Sequence, residues 1–531
     1  MDKTDIQLIL NKHPNLTDKL FARGFLFTDA NLDLNAYPFF GQWNKENICG
    51  YNLFVSMKQH YYIQEVDGMS IILIGHAYNP FTDMHDENEI LHDLIHQYTA
   101  TTITDYQNSF WKSINELTGI FTIILIDKDD IYVIGDASGM QTTFYLTDGS
   151  ENKVFISSHT NLIGDLLSLS IDSYVDELIH YRFFKLLGNS LPGNLTQFKE
   201  VKRIIPNHYL KISKDHRELF RFYWPIKQNK TEEQIVDEVA DLLHRNMELI
   251  CRKWKQPAIS LTGGCDSKTT LACTNGYYDR FSYFSYISSE SEKVDAEAAE
   301  KICHELGLKH KTYQISENDS DFADVNAVRE ILNWNTGNIR YSHPNDVRKR
   351  IFFADRMDFD VEVKSWASEI GRAYYSKRFH ERTDFGDAPT PRKCTTLYKF
   401  FLHNRGLVKK TDKIFEDYLR KYFQQAKKNP VEWQEQFFWE FRVPSWNGLV
   451  ITGEHRYSFD ITIPYNNRLL LELLLSAPIE TRIHDGIYEA IRKKMNPAID
   501  NTGIAITNLK HTKKREQFEN LYYWFNTHFP F

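Results

Sequence analysis

Ala258-Ile259-Ser260-Leu261-Thr262-Gly263-Gly264-Cys265-Asp266-Ser267-Lys268 is the stretch that decides the fold. An apolar run of strand length reaches two glycines, and Thr269-Thr270-Leu271-Ala272 then begins a predicted helix. If an anion lies in this turn, the glycine N–H groups can approach it and the helix N-terminus adds positive potential. Asp266 would repel a bare phosphate unless a divalent cation lay between them, and Mg²⁺ is the natural candidate. The alternative is a structural turn in which Asp266 and Ser267 cap the helix.

The same stretch resembles the pyrophosphate-binding loop, Ser-Gly-Gly-x-Asp-Ser, of ATP pyrophosphatases. It does not fit the phosphate loop of kinases and GTPases, nor a dinucleotide-binding Gly-x-Gly-x-x-Gly. The resemblance implies cleavage of ATP between its α- and β-phosphates, with Asp266 as a ligand of Mg²⁺. Lys268 departs from the pattern, because a small residue is usual there. The implied ATP-binding residues are Thr262, Gly263, Gly264, Asp266 and Ser267.

Length and composition limit the possible classes of protein. The chain has 531 residues, of which 42% are apolar, enough for two or three globular domains. A net charge of -8 argues against nucleic-acid or anionic-membrane binding as the main task. Six cysteines show neither metal-ligand nor paired spacing, and no apolar run reaches bilayer length. We expect a cytoplasmic protein with reduced thiols, whose oligomeric state the sequence leaves open.

The first half of the chain is predicted to be a meander-like β domain. One helix is predicted over 89–98, and residues 196–212 with 222–225 are interpreted as a connecting arm. The architecture changes near residue 225, so we predict domains 1–224 and 225–531. The predicted strands are 70–75, 119–127, 131–134, 143–146 and 154–158.

The second half alternates strands with helices. An amphipathic helix over 232–250 leads into the phosphate loop, strands over 280–287 and 309–315 flank a helix over 295–306, and another strand ends near Val363. Such alternation predicts a parallel sheet with ligands at the carboxyl ends of its strands. The rest is predicted to be mainly helical.

A rival metal site is suggested by His92-Asp93-Leu94-Ile95-His96, which nearly matches the zinc-protease pattern His-Glu-x-x-His. Aspartate is a shorter base than glutamate, and no third ligand follows at a recognisable spacing. We therefore interpret the two histidines as part of a half-exposed helix face.

Motifs in the right order along most of the chain are similar to those of the glutamine-dependent asparagine synthetase family. Leu117 to Phe121, Gly135 to Gly139 and Phe155 to Ser158 resemble its amidotransferase domain, and Asp460 to Leu469 resembles its Arg-x-Pro-Phe-Leu-Asp segment. The resemblance implies an α/β protein of two domains. The first is an amidotransferase-like, β-rich sandwich with flanking helices, and the second is a parallel α/β ATP-pyrophosphatase domain with a helical C-terminal part.

The amidotransferase motifs depart from the family where its chemistry lies. The family releases ammonia with a cysteine at its mature N-terminus, whereas here Met1 is followed by Asp2. Cys49-Gly50 imitates that start but is internal, and Ile74 stands where the family has an oxyanion-stabilising asparagine. We therefore predict that this half does not hydrolyse glutamine.

The synthetase motifs depart from the family as well. Val363 to Tyr374 resembles its Ser-Gly-x-Gly-x-Asp-Glu-x-x-x-Gly-Tyr, with Ser368 in place of the metal-binding aspartate and Glu369 matching the glutamate. Glu369 is therefore predicted to be a catalytic residue and a second metal ligand beside Asp266. Tyr488 occupies the position of the family's catalytic lysine. The possible substitutes are Lys268, Lys493, Lys494 and Lys510, of which Lys268 is the predicted catalytic residue.

The leading hypothesis is an ATP- and Mg²⁺-dependent amide ligase that adenylates a carboxylate, releases pyrophosphate and lets a substrate amine displace AMP. The pattern of an intact loop without an N-terminal cysteine is similar to that of β-lactam synthetases and lasso-peptide cyclases, so the substrates are small molecules or peptides. A catalytically silent scaffold or regulatory protein is the alternative, because of Ser368 and Tyr488. Asparagine synthesis from free ammonia is a third possibility.

Overall fold

The computed structural model describes residues 3–33, 37–98, 102–147, 153–187, 189–214, 216–354, 356, 358–379, 384–399, 402, 404–503 and 513–529. The strands in chain order are β1 (Phe25–Thr28), β2 (Trp43–Ile48), β3 (Tyr51–Ser56), β4 (Tyr61–Val66), β5 (Met69–Tyr78), β6 (Thr118–Asp127), β7 (Asp130–Gly135), β8 (Phe144–Leu146), β9 (Phe155–Ser157), β10 (Val201–Arg203), β11 (His208–Ser213), β12 (His216–Arg221), β13 (Pro257–Ser260), β14 (Ser282–Ile287), β15 (His310–Gln314), β16 (Val361–Val363) and β17 (Asp460–Thr462).

The α-helices are α1 (Lys3–Lys12), α2 (Glu87–Gln97), α3 (Ser109–Glu116), α4 (Thr160–Leu167), α5 (Ser173–Ile179), α6 (Glu232–Lys253), α7 (Cys265–Ala272), α8 (Glu290–Glu305), α9 (Val325–Asn335), α10 (Pro344–Ala354), α11 (Tyr374–Phe379), α12 (Pro391–Tyr398), α13 (Arg405–Lys421), α14 (Trp433–Phe437), α15 (Leu449–Gly453), α16 (Arg468–Ser476), α17 (Ile479–Ile483), α18 (Gly486–Met495) and α19 (Lys513–His528). Two π-helical segments, Phe438–Arg442 and Pro444–Gly448, lie between α14 and α15.

Two six-stranded sheets form the first half. One has the order β10-β8-β9-β1-β3-β2, and the other is an antiparallel sheet with the order β12-β11-β7-β6-β5-β4. Buried side chains of both sheets, such as Phe27 on β1 and Ile72 on β5, belong to one apolar cluster. Most strands bury apolar residues, β5 and β6 along almost their whole length, and such burial between two sheets is what holds a sandwich together. The predicted β-rich sandwich is confirmed.

The predicted connecting arm is instead part of the sheets. Residues 201–203 pair with β8, and residues 208–213 pair with both β7 and β12. The apolar residues Leu210 and Ile212 alternate with Lys211 along β11, as in a strand with one buried face. The interpretation of residues 196–212 as an arm was therefore wrong, because residues 201–203 and 208–213 are strands of the two sheets.

The second half contains a five-stranded sheet with the order β15-β14-β13-β16-β17, in which every pairing is parallel. The quoted stretch forms β13, a turn and α7, so the turn lies at the carboxyl edge of this sheet. Residues after β16 reach the same edge because the two strands are parallel neighbours. The predicted α/β fold with a helical C-terminal part is confirmed.

The halves share buried polar contacts. Arg221 at the end of β12 forms a two-pronged ion pair with Glu440, with N–O distances of 2.6 and 2.7 Å. Arg468 at the start of α16 donates to the carbonyl oxygen of Gly135 at 2.9 Å. The two halves are therefore in contact through buried polar groups on both sides of residue 225. The position of the domain boundary stays a prediction. Among the described residues, no helix is both long and apolar enough to cross a membrane.

Candidate active site

The turn between β13 and α7 is held by its own hydroxyl groups. Ser267 Oγ donates to the carbonyl oxygen of Thr262 at 2.9 Å and lies 3.0 Å from Thr262 Oγ1. The N–H of Gly264 donates to Thr262 Oγ1 at 3.1 Å, and the N–H of Gly263 donates to Asp295 Oδ1 at 3.3 Å. Gly264 has a φ of -73°, which residues with side chains also adopt.

Asp266 lies in the first turn of α7 and points to residues that follow β16. Its Oδ1 accepts a hydrogen bond from Ser368 Oγ at 2.8 Å, and its Oδ2 forms an ion pair with Arg372. Burial raises the pKa of Asp266, whereas Arg372 and Ser368 oppose that rise. Two donors therefore orient the carboxylate that the sequence predicts as a metal ligand.

Arg372 connects the loop to the start of α18. Its Nε and Nη2 donate to the two carboxylate oxygens of Asp485 at 2.7 and 2.9 Å, while Nη1 faces Asp266. Lys377 on α11 also pairs with Asp485. Burial acts to raise the pKa of Asp485, but Arg372 and Lys377 outweigh burial and lower it. Asp266, Arg372, Asp485 and Lys377 thus form a chain of alternating charges beside the turn at residues 262–267.

Glu369 lies close to this chain of charges without being neutralised by it. Its Oε2 is shielded from solvent and has no hydrogen-bond partner within the described part of the chain. Burial, and then the charge of Asp266, raise the pKa of Glu369 to about 7. Two neighbouring carboxylates with one orphaned oxygen fit Mg²⁺, which takes one or two carboxylates and completes its shell with water and phosphate oxygens.

This geometry can be compared with known proteins. The chain is 26% identical over 278 residues to asparagine synthetase [glutamine-hydrolyzing] 3 of Bacillus subtilis strain 168. The chain is therefore similar in sequence to an asparagine synthetase over about half of its length. The match covers 48% of this chain and 44% of the relative, so the chain spans less than half the length of the curated relative that it matches. No family model matches the chain.

Solved structures give only weak likenesses. A glutamine-dependent NAD⁺ synthetase from Acinetobacter baumannii in complex with ADP is 12% identical, covering 44% of this chain and 53% of its own, with a TM-score of 0.20. A glutamine phosphoribosylpyrophosphate amidotransferase from B. subtilis, complexed with ADP and GMP, is 9% identical, covering 70% and 75%, with a TM-score of 0.21. These scores are too low to support an argument about the fold.

The lysines proposed to replace the family's catalytic lysine lie in different places. Lys268 is 6% exposed and its Nζ lies 2.9 Å from Asp500 Oδ1, so it is engaged away from Asp266. Lys493 pairs with Glu489 and Lys494 with Asp237, both at the surface. Lys510 lies outside the described residues.

Tyr488 itself is fully buried on α18. Its hydroxyl group donates to the carbonyl oxygen of Ser368 at 2.7 Å, and its ring lies 5.9 Å from the Arg372 guanidinium carbon. Tyr488 therefore supports the backbone that carries Ser368 and Glu369, which is a positioning task.

Three residues of this site were missed from the sequence: Arg372, Lys377 and Asp485. Arg372 lies inside the matched segment 363–374, three residues after Glu369, and a cation so close to two predicted metal ligands is a signal that could have been used. Asp485 lies 113 residues further along, and only the fold brings it to Arg372.

The remnant amidotransferase site is incomplete. Cys49 and Gly50 form the exposed turn between β2 and β3, with φ values of 50° and 85°. Ile74 is fully buried in β5, and its neighbour His76 is also buried, which lowers the pKa of His76 to about 3. Cys49 carries a thiol but no free α-amine, and the side chain of Ile74 has no hydrogen-bond donor, so the absence of glutamine hydrolysis stays a prediction.

His92 and His96 lie on the exposed side of α2, with ring centroids 4.4 Å apart. Across the described ranges, no group of three or more His, Cys, Asp or Glu residues could hold a metal ion. The interpretation of this pair as a helix face is consistent with that arrangement.

A cavity of about 550 Å³ adjoins the charged chain. Ser376 and His484 line it, and each lies one residue before Lys377 and Asp485 respectively. Among the described residues, its wall carries carboxylates and aromatic rings but no lysine or arginine: Asp384, Asp387, Glu432, Glu480, Phe385 and Trp433.

Proposed function

We propose that this protein is an ATP-dependent carbon–nitrogen ligase that forms AMP and joins a substrate carboxylate to a substrate amine. The observation that carries the proposal is the phosphate loop at the carboxyl edge of a parallel sheet, with Asp266 facing Glu369 and Arg372. A loop used only as a turn has no need for this constellation of charges. Its relative is named for asparagine synthesis, which is also amide formation.

Phosphate binding is assigned to the turn. Thr262 and Ser267 present hydroxyl groups, and the N-terminus of α7 presents backbone N–H groups, to the β- and γ-phosphates. Asp266 and Glu369 would hold Mg²⁺, which would neutralise the charge that collects on the leaving pyrophosphate. Arg372 orients Asp266 and opposes the rise in its pKa that burial causes, which favours the carboxylate form.

The chemistry follows from the poor reactivity of a carboxylate. A carboxylate oxygen attacks the α-phosphorus of ATP, the bond to the β-phosphate oxygen breaks, and pyrophosphate leaves. The amine then attacks the carbonyl carbon of the acyl-adenylate, and AMP leaves as the C–O bond breaks. The amine loses a proton as the C–N bond forms, and the phosphate of the departing AMP can accept it.

The acidic cavity supports a substrate amine as the nitrogen source. Asp384, Asp387 and Glu480 favour a cation, and Phe385 offers it an aromatic face, whereas Glu432 already pairs with Lys227 and Arg482 and the Trp433 ring already faces Lys393. Gln434, which also lines the cavity, is 7% exposed and has no side-chain partner in the described part of the structure. A polar ligand can supply that partner, so the cavity fits an ammonium group attached to a small organic skeleton.

The first prediction tests the metal and nucleotide site together. Isothermal titration should show tighter ATP binding with Mg²⁺ than with EDTA, and Asp266→Asn should remove about tenfold of that enhancement, or about 1.4 kcal/mol. The matched control is Asp358→Asn, because Asp358 is exposed and lies outside the candidate site, where it pairs with Lys311 at 2.6 Å and accepts a hydrogen bond from Tyr313. Equal Mg²⁺ enhancement in the wild type and Asp266→Asn would show that the site is wrongly assigned.

The silent scaffold makes a different prediction for the same titration. Ser368 and Tyr488 have lost the family's chemical groups, and Asp266 already has two protein donors. If the wild type binds no ATP with Mg²⁺, the protein keeps the fold without the reaction. If it binds ATP, AMP release in the presence of candidate carboxylates and amines identifies the substrates.

A further inference from the structure

A second cavity, of about 520 Å³, lies between α5, the edge strand β10 and α13. Its lining comes from residues 172–175 and 195–202 of the first half and from residues 409–414 of the second. Small-molecule sites typically have volumes of roughly 300–1,000 Å³. No residue of the candidate active site lines this cavity, so the proposed ligase reaction does not account for it.

The rim of this cavity is strongly basic. Five lysines line it against one aspartate, Asp172, whose carboxylate already caps α5 by accepting the N–H of Tyr174 at 2.9 Å. Lys410 pairs with Glu177 and Lys413 with Glu416, both at 2.7 Å. The lysines are Lys199, Lys202, Lys409, Lys410 and Lys413.

Lys202 is the lysine that matters most. It lies on β10, partly buried, and among the described residues no carboxylate lies within ion-pair distance of it, as is also true of Lys199 and Lys409. Burial lowers the pKa of Lys202 to about 8. A partly desolvated ammonium group without an ionic partner is costly, and an anion in the cavity would offset that cost.

The floor of the cavity is apolar and fixed in place. Val175 is 1% exposed and Phe198 is 5% exposed, and Tyr174 completes this wall. The hydroxyl group of Tyr174 lies 2.8 Å from Thr411 Oγ1, which ties α5 to α13 across the cavity. A bare inorganic anion would leave this floor in water, whereas an anion that carries an apolar group would cover it.

We propose that this cavity binds a small amphiphilic anion, a carboxylate, phosphate or sulfonate attached to an aromatic or aliphatic group. The anionic head pairs with Lys202 and Lys409, and the apolar group packs on Val175 and Phe198. Because the lining comes from both halves of the chain, the bound ligand contacts both of them.

The test uses 1-anilinonaphthalene-8-sulfonate as the probe, with the full-length protein and fluorescence titration. The wild type should bind about one probe molecule in this cavity, and Lys202→Glu should weaken binding by about tenfold or more, the cost of losing one charge-assisted contact. Lys409→Glu should weaken it in the same direction. Because Lys409 is exposed, that variant keeps the test valid if Lys202→Glu does not fold.

The matched control is Lys301→Glu on the exposed face of α8, which should bind the probe as the wild type does. Sodium sulfate at the same ionic strength as a sodium chloride control should displace little probe, because it lacks an apolar group. The proposal is overturned if the wild type does not bind the probe, or if Lys202→Glu and Lys409→Glu bind it as tightly as Lys301→Glu.

Discussion

Arg372 is one guanidinium group shared among acidic residues that lie far apart in sequence. It binds Asp485 through two hydrogen bonds and Asp266 through a third nitrogen, while Glu369 stays close without a partner for its Oε2 within the described residues. Lysine carries a point charge and cannot span two carboxylates with this fork. Arg372 therefore holds Asp266 and Asp485 in place beside each other.

The second prediction follows from that sharing. Arg372→Ala should lower the free energy of unfolding by about 2–3 kcal/mol, less than a fully buried pair because the Arg372 side chain is 21% exposed. Arg372→Lys should recover part of the loss. Arg420→Ala, which breaks an exposed pair with Asp417, should cost no more than about 0.5 kcal/mol. Urea denaturation measures all three, and equal values for Arg372→Ala and Arg420→Ala would contradict this account.

At the scale of elements, the long apolar strands β5 and β6 and the amphipathic helix α6 could be predicted, and so could the short strands β8, β9 and β16. β5 and β6 are ten-residue strands with almost continuous burial, and α6 begins with a capping box formed by Thr231 and Gln234. β17 has three residues, too few for a period to be recognised. Its place in the sheet depends on β16, which lies 99 residues earlier in the chain, since Asp460 pairs with Val361.

Two glycines let β5 and β6 approach each other closely. Gly75 has a φ of +118°, and a Cβ built there would lie 2.1 Å from the carbonyl oxygen of Ile120. Gly119 on β6 is in the same situation, because its Cβ would lie 2.2 Å from the carbonyl oxygen of His76. Backbone atoms cannot move aside as a flexible side chain does.

The third prediction is that Gly75→Ala destabilises the protein by about 3 kcal/mol or more, through a backbone clash and an unfavourable φ. Gly135→Ala is the matched control at the end of β7, because no atom lies within 4 Å of the Cβ position there. That variant should change the free energy of unfolding by less than about 1 kcal/mol. If both variants have the same free energy of unfolding, the neighbouring strands β5 and β6 lie further apart at Gly75 than these distances indicate.

At the scale of the whole molecule, the fold explains which parts of the site the sequence could reveal. The turn at 262–267 is local, so its residues could be named from one stretch. Asp266 meets Ser368 and Arg372 only because β13 and β16 are parallel neighbours, which places their following loops at one edge. The prediction of Asp266 and Glu369 as metal ligands stays a prediction, and Arg372 adds a competing cation to it.

The first half of the molecule covers and braces the second. Arg221 and Glu440 are 3% and 0% exposed at their side chains, and their ion pair joins β12 to the helical part.

Among the six cysteines, Cys49 is exposed, Cys265 is half-buried beside the turn at residues 262–267, and the other four are buried. Cys49 is thus the cysteine that a glutamine molecule could reach.

The fourth prediction is that the full-length protein releases no glutamate from glutamine, with or without ATP and Mg²⁺. A thiol nucleophile needs a base within hydrogen-bond reach, and the nearest side-chain partner of Cys49 Sγ is the hydroxyl group of Ser70 at 3.2 Å, which is not a base. The nitrogen of Cys49 is a peptide amide, so it cannot act as the α-amine does in the family. The Bacillus subtilis relative, whose name includes glutamine hydrolysis, serves as the positive control. Glutamate release above the enzyme-free rate, particularly release that Cys49→Ala removes, would contradict the assignment of this half to a structural task.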